Sequence, residues 1–256
     1  MAYKIMVAIQ KGGVGKTTTT VMVAELLAAS GRKVLVLDLD SQGNATQMLT
    51  GESIYKNSGK TIFEAVKEMN PKKYILSPKE NIDLLPSDDM LSQFDKYIYQ
   101  DKRANPVRTL YNALRAIESD YDYILMDCPP NLGGIVLNAI AYSDYIIAPI
   151  NPDAFGMDAL ERFIDNVNET IEKGHSKAEL LGILFTLREK RNSLEKTIGT
   201  HIRESYGDAV FKTEIHKRAR LKEFAFAGVD ISTKKDLKLS SDYIDLVEEI
   251  VERIEV

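Results

Sequence analysis

Nine residues, QKGGVGKTT at positions 10–18, combine three glycines, two lysines and two threonines between an apolar run, Ile5–Ile9, and a helix-like stretch, Thr18–Ala29. Gly12, Gly13 and Gly15 let backbone N–H groups turn inward around an anion with no Cβ in the way. A helix opening near Lys16 adds the positive end of its dipole. Lys16 reaches the terminal phosphates of a polyphosphate, and the Thr17 hydroxyl is a ligand for a hard cation such as Mg²⁺. Strand, glycine turn, Gly-Lys-Thr and helix make a phosphate-binding loop, with Lys11, Val14 and Thr18 as further candidate nucleotide contacts.

Two other apolar runs end in carboxylates. VLVLDLDSQGNAT, at 34–46, sets Asp38 and Asp40 two apart on an extended chain, so that both point the same way. Beside a nucleotide, one such carboxylate holds Mg²⁺ through water, and another orients or deprotonates an attacking water. YILMDCPPNLGG, at 123–134, ends its strand in Asp127, the arrangement that delivers one carboxylate to a metal's outer sphere. Cys128 reads as a small buried residue, because no base lies near it in the sequence.

The elements that must position these groups are visible as apolar runs at Lys4–Ile9, Lys33–Leu37, Asn81–Leu85, Tyr123–Met126, Tyr145–Ile150 and Leu180–Phe185. Helical patterns fall between or after them, at Thr18–Ala29, Thr61–Met69, Pro106–Glu118, Ile135–Tyr142, Met157–Lys173 and Asn192–Tyr206. Near-continuous rather than alternating strands predict a doubly wound α/β fold: a mostly parallel sheet with helices on both faces, and ligand groups gathered at the carboxyl ends of the strands. No Pro/Gly/Ser-rich linker divides the 256 residues, which predicts a single domain over 1–256. Residues 51–60 read as a surface loop between two helices. One cysteine excludes an intrachain disulfide and fits a reducing cytosol. The first strand begins almost at once, leaving no room for a signal peptide, and no apolar run reaches membrane-spanning length.

The usual loop spacing, G-x-x-x-x-G-K-[ST], wants glycine at position 10, where this chain has Gln10, followed by Lys11. KGGVGKT resembles the deviant Walker A motif of the ParA/MinD family of ATPases, SIMIBI-like P-loop NTPases. DLDSQGNAT resembles that family's D-x-D-P-Q-G-N-x-T switch segment, with Ser41 in place of Pro, and DCPPNLGG followed by Leu137–Ile140 resembles its D-x-P-P-x-L-G pattern. TEIHKRARLKEFAFAG, at 213–228, resembles the region carrying I-P-x-x-x-R-L-x-E-A; it keeps Arg220, Leu221 and Glu223 but has His216 where Pro is usual. The resemblance implies ATP and Mg²⁺ as cofactors, with Lys16 on the phosphates and Lys11 reaching those of a facing subunit. It assigns Asp40 to the hydrolytic water and Thr17, Asp38 and Asp127 to the metal, the two carboxylates through water. It also implies that Arg191 and Arg220 contact DNA phosphates.

Charge is distributed unevenly. The chain carries −5 overall, yet between Arg188 and Lys222 ten basic residues face five acidic ones. Such asymmetry marks a local surface for an anionic partner, and adds Lys217 and Arg218 to the candidate DNA contacts. The tail, SSDYIDLVEEIVERIEV, has apolar residues at helical spacing but an acidic polar face, which anionic lipid repels. It predicts a helix packed on the domain, unlike the basic membrane helix of MinD-type relatives. A single cysteine argues against iron–sulfur members, and the early phosphate loop against an N-terminal helix-turn-helix domain. The resemblance is thus to the short Soj-like ParA branch. It implies a weak ATPase that forms a homodimer with ATP, binds double-stranded DNA without sequence preference, and is released by hydrolysis that a ParB-type protein stimulates. It implies a cytoplasmic, nucleoid-associated protein. A MinD-like membrane-surface ATPase and a regulatory module without turnover are the alternatives.

Overall fold

The computed structural model describes residues 1–100, 105–189, 193–218, 224, 228–229 and 240–255. The strands are β1 (Tyr3–Val7), β2 (Val34–Asp38), β3 (Leu76–Lys79), β4 (Ile82–Leu85), β5 (Tyr123–Asp127), β6 (Tyr145–Ile150), β7 (Glu179–Arg188) and β8 (Val210–His216). Among the described residues they form one sheet in the order β3-β4-β2-β5-β1-β6-β7-β8. All neighbours run parallel except β3 and β4, which pair antiparallel at the edge. The doubly wound, mostly parallel α/β architecture expected from the sequence is the one observed.

The helices that matter for the site are α1 (Lys16–Ala29), α2 (Asn44–Thr50), α3 (Ile62–Glu68), α4 (Phe94–Ile98), α5 (Thr109–Leu114), α6 (Gly134–Tyr142), α7 (Ala154–Glu172), α8 (Ser193–Tyr206) and α9 (Ser241–Ile254). They cover both faces of the sheet and divide the core in two. On one face, Met6, Leu35, Leu37 and Ile124 meet α3, α5, α6 and α7 through Ala65, Leu110, Ala139 and Phe163. On the other, Ile5, Val34, Val36 and Leu125 meet α1, α2 and α9 through Val23, Met48 and Leu246. Burial on both faces is why these strands are unbroken apolar runs. The expected tail helix is α9. It buries Tyr243, Leu246, Ile250 and Ile254 and leaves Asp245, Glu248 and Glu252 exposed.

The long helix expected over Pro106–Glu118 is a correction. Regular α-helix holds only for α5, with 3₁₀ turns at Pro106–Arg108 and Glu118–Asp120. Asn105 caps the first turn through its side chain, and the Glu-Ser-Asp stretch favours a turn over a continued helix. Residues 51–60 do link two helices, α2 and α3, by way of a 3₁₀ turn at Ile54–Asn57.

Candidate nucleotide site

Strand order builds the site. The central neighbours β2, β5 and β1 end side by side, with Asp38 in register with Asp127 and Asp127 in register with Val7. The loop leaving β1 therefore curls over the two carboxylates, as ligand groups gather at the carboxyl ends of a parallel sheet. Gly13 and Gly15 take left-handed φ values of 73° and 84°, which an ordinary side chain disfavours. Gly12 needs no such conformation, but a Cβ there, as at the other two, would point into open space. Gly15 leads directly into α1, so the first N–H groups of a 14-residue helix face the cradle. From β7, the buried Thr186 hydroxyl donates to the Val14 carbonyl at 2.8 Å and pins the outer side of the loop.

Lys16 is 7 % exposed, and its Nζ donates to the Lys11 carbonyl at 2.8 Å. Burial lowers the pKa of its ammonium, and the charges of Asp127, Cys128 and Asp40 act against that. Lys11 points elsewhere. Its Nζ lies 2.6 and 2.8 Å from the two carboxylate oxygens of Asp153, just before α7. The two loop lysines are thus separated: one amine turned inward over the cradle, the other held at its rim.

The carboxylates divide in the same way. Asp127 is fully buried, and neither of its oxygens has a hydrogen-bond partner. Burial first, and Asp38 second, push its carboxyl well above the ordinary range. An orphaned carboxylate beside the Thr17 position and the phosphate cradle fits Mg²⁺, which keeps several waters and takes few protein ligands besides substrate phosphates. Asp38 is buried too, but its oxygens are occupied. One accepts from the N–H and hydroxyl of Thr46, both at 2.7 Å, and the other from the Asp40 N–H at 3.2 Å. Burial raises its pKa to about 6 even so. The Thr46 hydroxyl in turn accepts from the Ser87 N–H at 3.0 Å, so Asp38 ties the segment after β2 to the one after β4. Asp40 is half-buried in that segment and accepts from the Gln42 N–H at 3.0 Å. Its turn requires Gly43, at φ 64°, where an added Cβ would strike the Ile54 side chain at 2.4 Å.

The chain that carries this glycine loop and these carboxylates is similar to known proteins. Residues 2–180 match the AAA domain family. The chain is 30% identical to the sporulation initiation inhibitor protein Soj of Bacillus subtilis over 251 residues, covering 96% of this chain and 97% of Soj. It belongs to the ParA/Soj family of partitioning ATPases. Among solved structures, apo McdA of Cyanothece superposes with a TM-score of 0.87 at 25% identity, covering 98% of this chain and 100% of that one. A putative plasmid partition protein of Borrelia burgdorferi B31 bound to AMPPNP gives 0.79 at 26% identity, with 99% of each chain covered.

Within the ParA/Soj frame, the structure brings the loop Gly12, Gly13, Val14, Gly15, Lys16, Thr17 and Thr18 together with Asp38, Asp40 and Asp127, while the Lys11 side chain turns away to Asp153. Arg191 and Arg220 lie outside the described residues. Lys217 pairs with Glu189 at 2.6 Å, and Arg218 with Asp242 of α9 at 2.8 Å. His216, in the position where the family has Pro, sits at the end of β8 with its N–H on Asp242 at 2.9 Å and its Nδ1 3.2 Å from the same oxygen. Sequence reading missed Asp153, Thr186 and the tie made by Thr46. Asp153 had a local signal, an Asp before a helical pattern, which marks an N-cap. Thr46 stood inside the switch motif without a role.

Proposed function

We propose that this chain is an ATP-dependent DNA-partitioning switch. The observation that carries the reading is the division of labour between the two loop lysines. Lys16 is buried over the cradle, whereas the Lys11 amine is turned to the rim, partly exposed and outside its own loop, where Asp153 holds it within reach of phosphates brought by a second copy. ATP binds with its phosphates on the backbone N–H groups from Gly12 to Thr18 and on Lys16. Thr17 and, through water, Asp127 hold Mg²⁺, with Asp38 fixing the switch segment beside them. When bound, Mg²⁺ neutralises charge on the β- and γ-phosphates. Asp40 orients the water that attacks the γ-phosphorus; the bond to the β-phosphate oxygen breaks, leaving ADP and phosphate.

Two copies meet across their ATP sites and align the basic surfaces around Arg191, Lys217, Arg218 and Arg220, which bind double-stranded DNA through its phosphates. Slow hydrolysis, accelerated by a ParB-type partner, separates them. The protein works in the cytoplasm on the nucleoid. The acidic outer face of α9 favours DNA over a membrane as the second surface, because anionic lipid repels it. Among the described residues no helix is long and apolar enough to cross a membrane. The test is DNA binding with no nucleotide, ADP and ATP at two salt concentrations. Binding is expected with ATP alone, on unrelated sequences equally, and weaker at the higher salt. DNA binding indifferent to nucleotide, or none in any state, refutes the switch.

A further inference from the structure

Asp153 makes two kinds of contact at once. Its side chain caps α7, with Oδ1 accepting from the Gly156 N–H at 2.7 Å. Both its oxygens also grip the Lys11 amine. The turn that presents it is tightly built: a Cβ on Gly156 would lie 2.2 Å from the Asn151 carbonyl oxygen. Lys11 is 22 % exposed and Asp153 34 %, so the pair sits at the rim rather than in the core. A core ion pair would be fixed, whereas a rim pair exchanges partners when a stronger anion arrives.

We propose that Asp153 is a positioning residue that parks Lys11 in the single subunit and thereby sets which nucleotide permits dimerisation. This rests on the reading that Lys11 acts across a dimer. The γ-phosphate of ATP in a facing copy carries more charge than one carboxylate and draws the amine away. Asp153 loses the ion pair but keeps its cap on Gly156, so release leaves α7 intact. After hydrolysis the γ-phosphate is gone, and Asp153 recaptures Lys11. The carboxylate thus opposes dimers made with ADP.

A half-exposed pair of this kind is worth about fivefold in an equilibrium constant, and a dimer breaks two of them, or roughly twenty-five-fold. Asp153→Asn and Asp153→Ser remove the charge and keep a side-chain cap, so melting temperature is expected to stay close to wild type. The measurement is sedimentation equilibrium of the full chain with no nucleotide, ADP–Mg²⁺ and ATP–Mg²⁺, for both variants, for Lys11→Ala, and for each variant combined with Lys11→Ala. Both variants should dimerise with ATP at about twenty-five-fold lower concentration and show dimers with ADP. In the Lys11→Ala background their effect should vanish. Unchanged or weaker dimerisation of Asp153→Asn and Asp153→Ser, with Lys11→Ala unable to dimerise, overturns the parking role and leaves the cross-subunit reading standing. Wild-type dimerisation of Lys11→Ala overturns the cross-subunit reading itself, and the parking role with it.

Discussion

Asp127→Asn is expected to stabilise the nucleotide-free protein while weakening its response to magnesium and ATP. Asp127 and Asp38 stand in register on neighbouring parallel strands, both fully buried. Adjacent strands lie about 4.8 Å apart, which sets a scale of about 5 Å for the interaction of the two neighbouring carboxylates. At an effective dielectric constant of about 20, two unit charges at that distance repel by about 3 kcal/mol. Asp38 spreads its charge over three hydrogen bonds, whereas Asp127 has none. The Asn side chain keeps the shape and removes the charge, but its amide stays unpaired, so a net gain of roughly 2 kcal/mol is expected. For a chain of this size that is a rise of about 5 °C in melting temperature. The sign with pH follows from both carboxyls titrating above their ordinary range, Asp38 at about 6. A raised carboxyl favours the folded state while protonated and penalises it once ionised. Wild type should therefore gain stability as pH falls from 7.5 toward 5, and the variant's advantage should close over the same interval. Differential scanning fluorimetry at pH 7.5 and 5.0 measures this, with no nucleotide, with ATP and EDTA, and with ATP and Mg²⁺. An unchanged or lower melting temperature at pH 7.5 refutes the repulsion. A magnesium-dependent shift as large as that of wild type refutes the metal role of Asp127.

Lys16→Ala removes the amine now resting on the Lys11 carbonyl, and with it a charge-assisted contact to phosphates; ATP affinity should fall roughly ten- to a hundredfold by calorimetry, and unchanged turnover contradicts the loop assignment. Asp40→Ala should bind ATP normally, hydrolyse it about a hundredfold or more slowly, and elute from size-exclusion columns as a persistent dimer with ATP. Wild-type turnover in that variant means another group orients the water. Arg191→Ala and Arg220→Ala should each leave ATP-driven dimerisation intact and reduce the slope of log DNA affinity against log salt by roughly two, one phosphate contact per subunit. A full slope with both arginines removed puts the DNA surface elsewhere.

How much of this was legible depends on how each element earns its place. The strands β1, β2 and β5 are covered on both faces, so they appear as apolar runs; β2 and β5 end in the carboxylates Asp38 and Asp127, and β1 leads into the glycine loop. The edge strands are different. In β3, Pro78 interrupts a four-residue segment, which reads as loop because proline cannot donate to a ladder. In β8, Lys212 and Glu214 break the apolar pattern. The structure accommodates them through Glu249, which accepts from the Lys212 N–H at 2.9 Å, and through Arg188 and Arg203, which grip Glu214. Those partners come from α9, β7 and α8, and no local pattern announces them. The helix α2, seven residues long after a glycine cap, is too short to display a period.

The site follows the same rule. Its groups on the central strands were readable because parallel strands deliver their carboxyl ends to one edge whatever the order of the outer strands. The partner of Lys11 was not, since Asp153 lies 142 residues away and its visible signal concerned only its own helix. What joins them is the place of β6 directly beside β1 in the sheet, with Ile5, Met6 and Val7 paired to Tyr145, Ile146 and Ile147. That neighbour relation decides whether the rim of the phosphate loop faces a carboxylate or solvent. Apolar periodicity predicts that a parallel sheet exists; only the order of its strands determines that Lys11 meets Asp153.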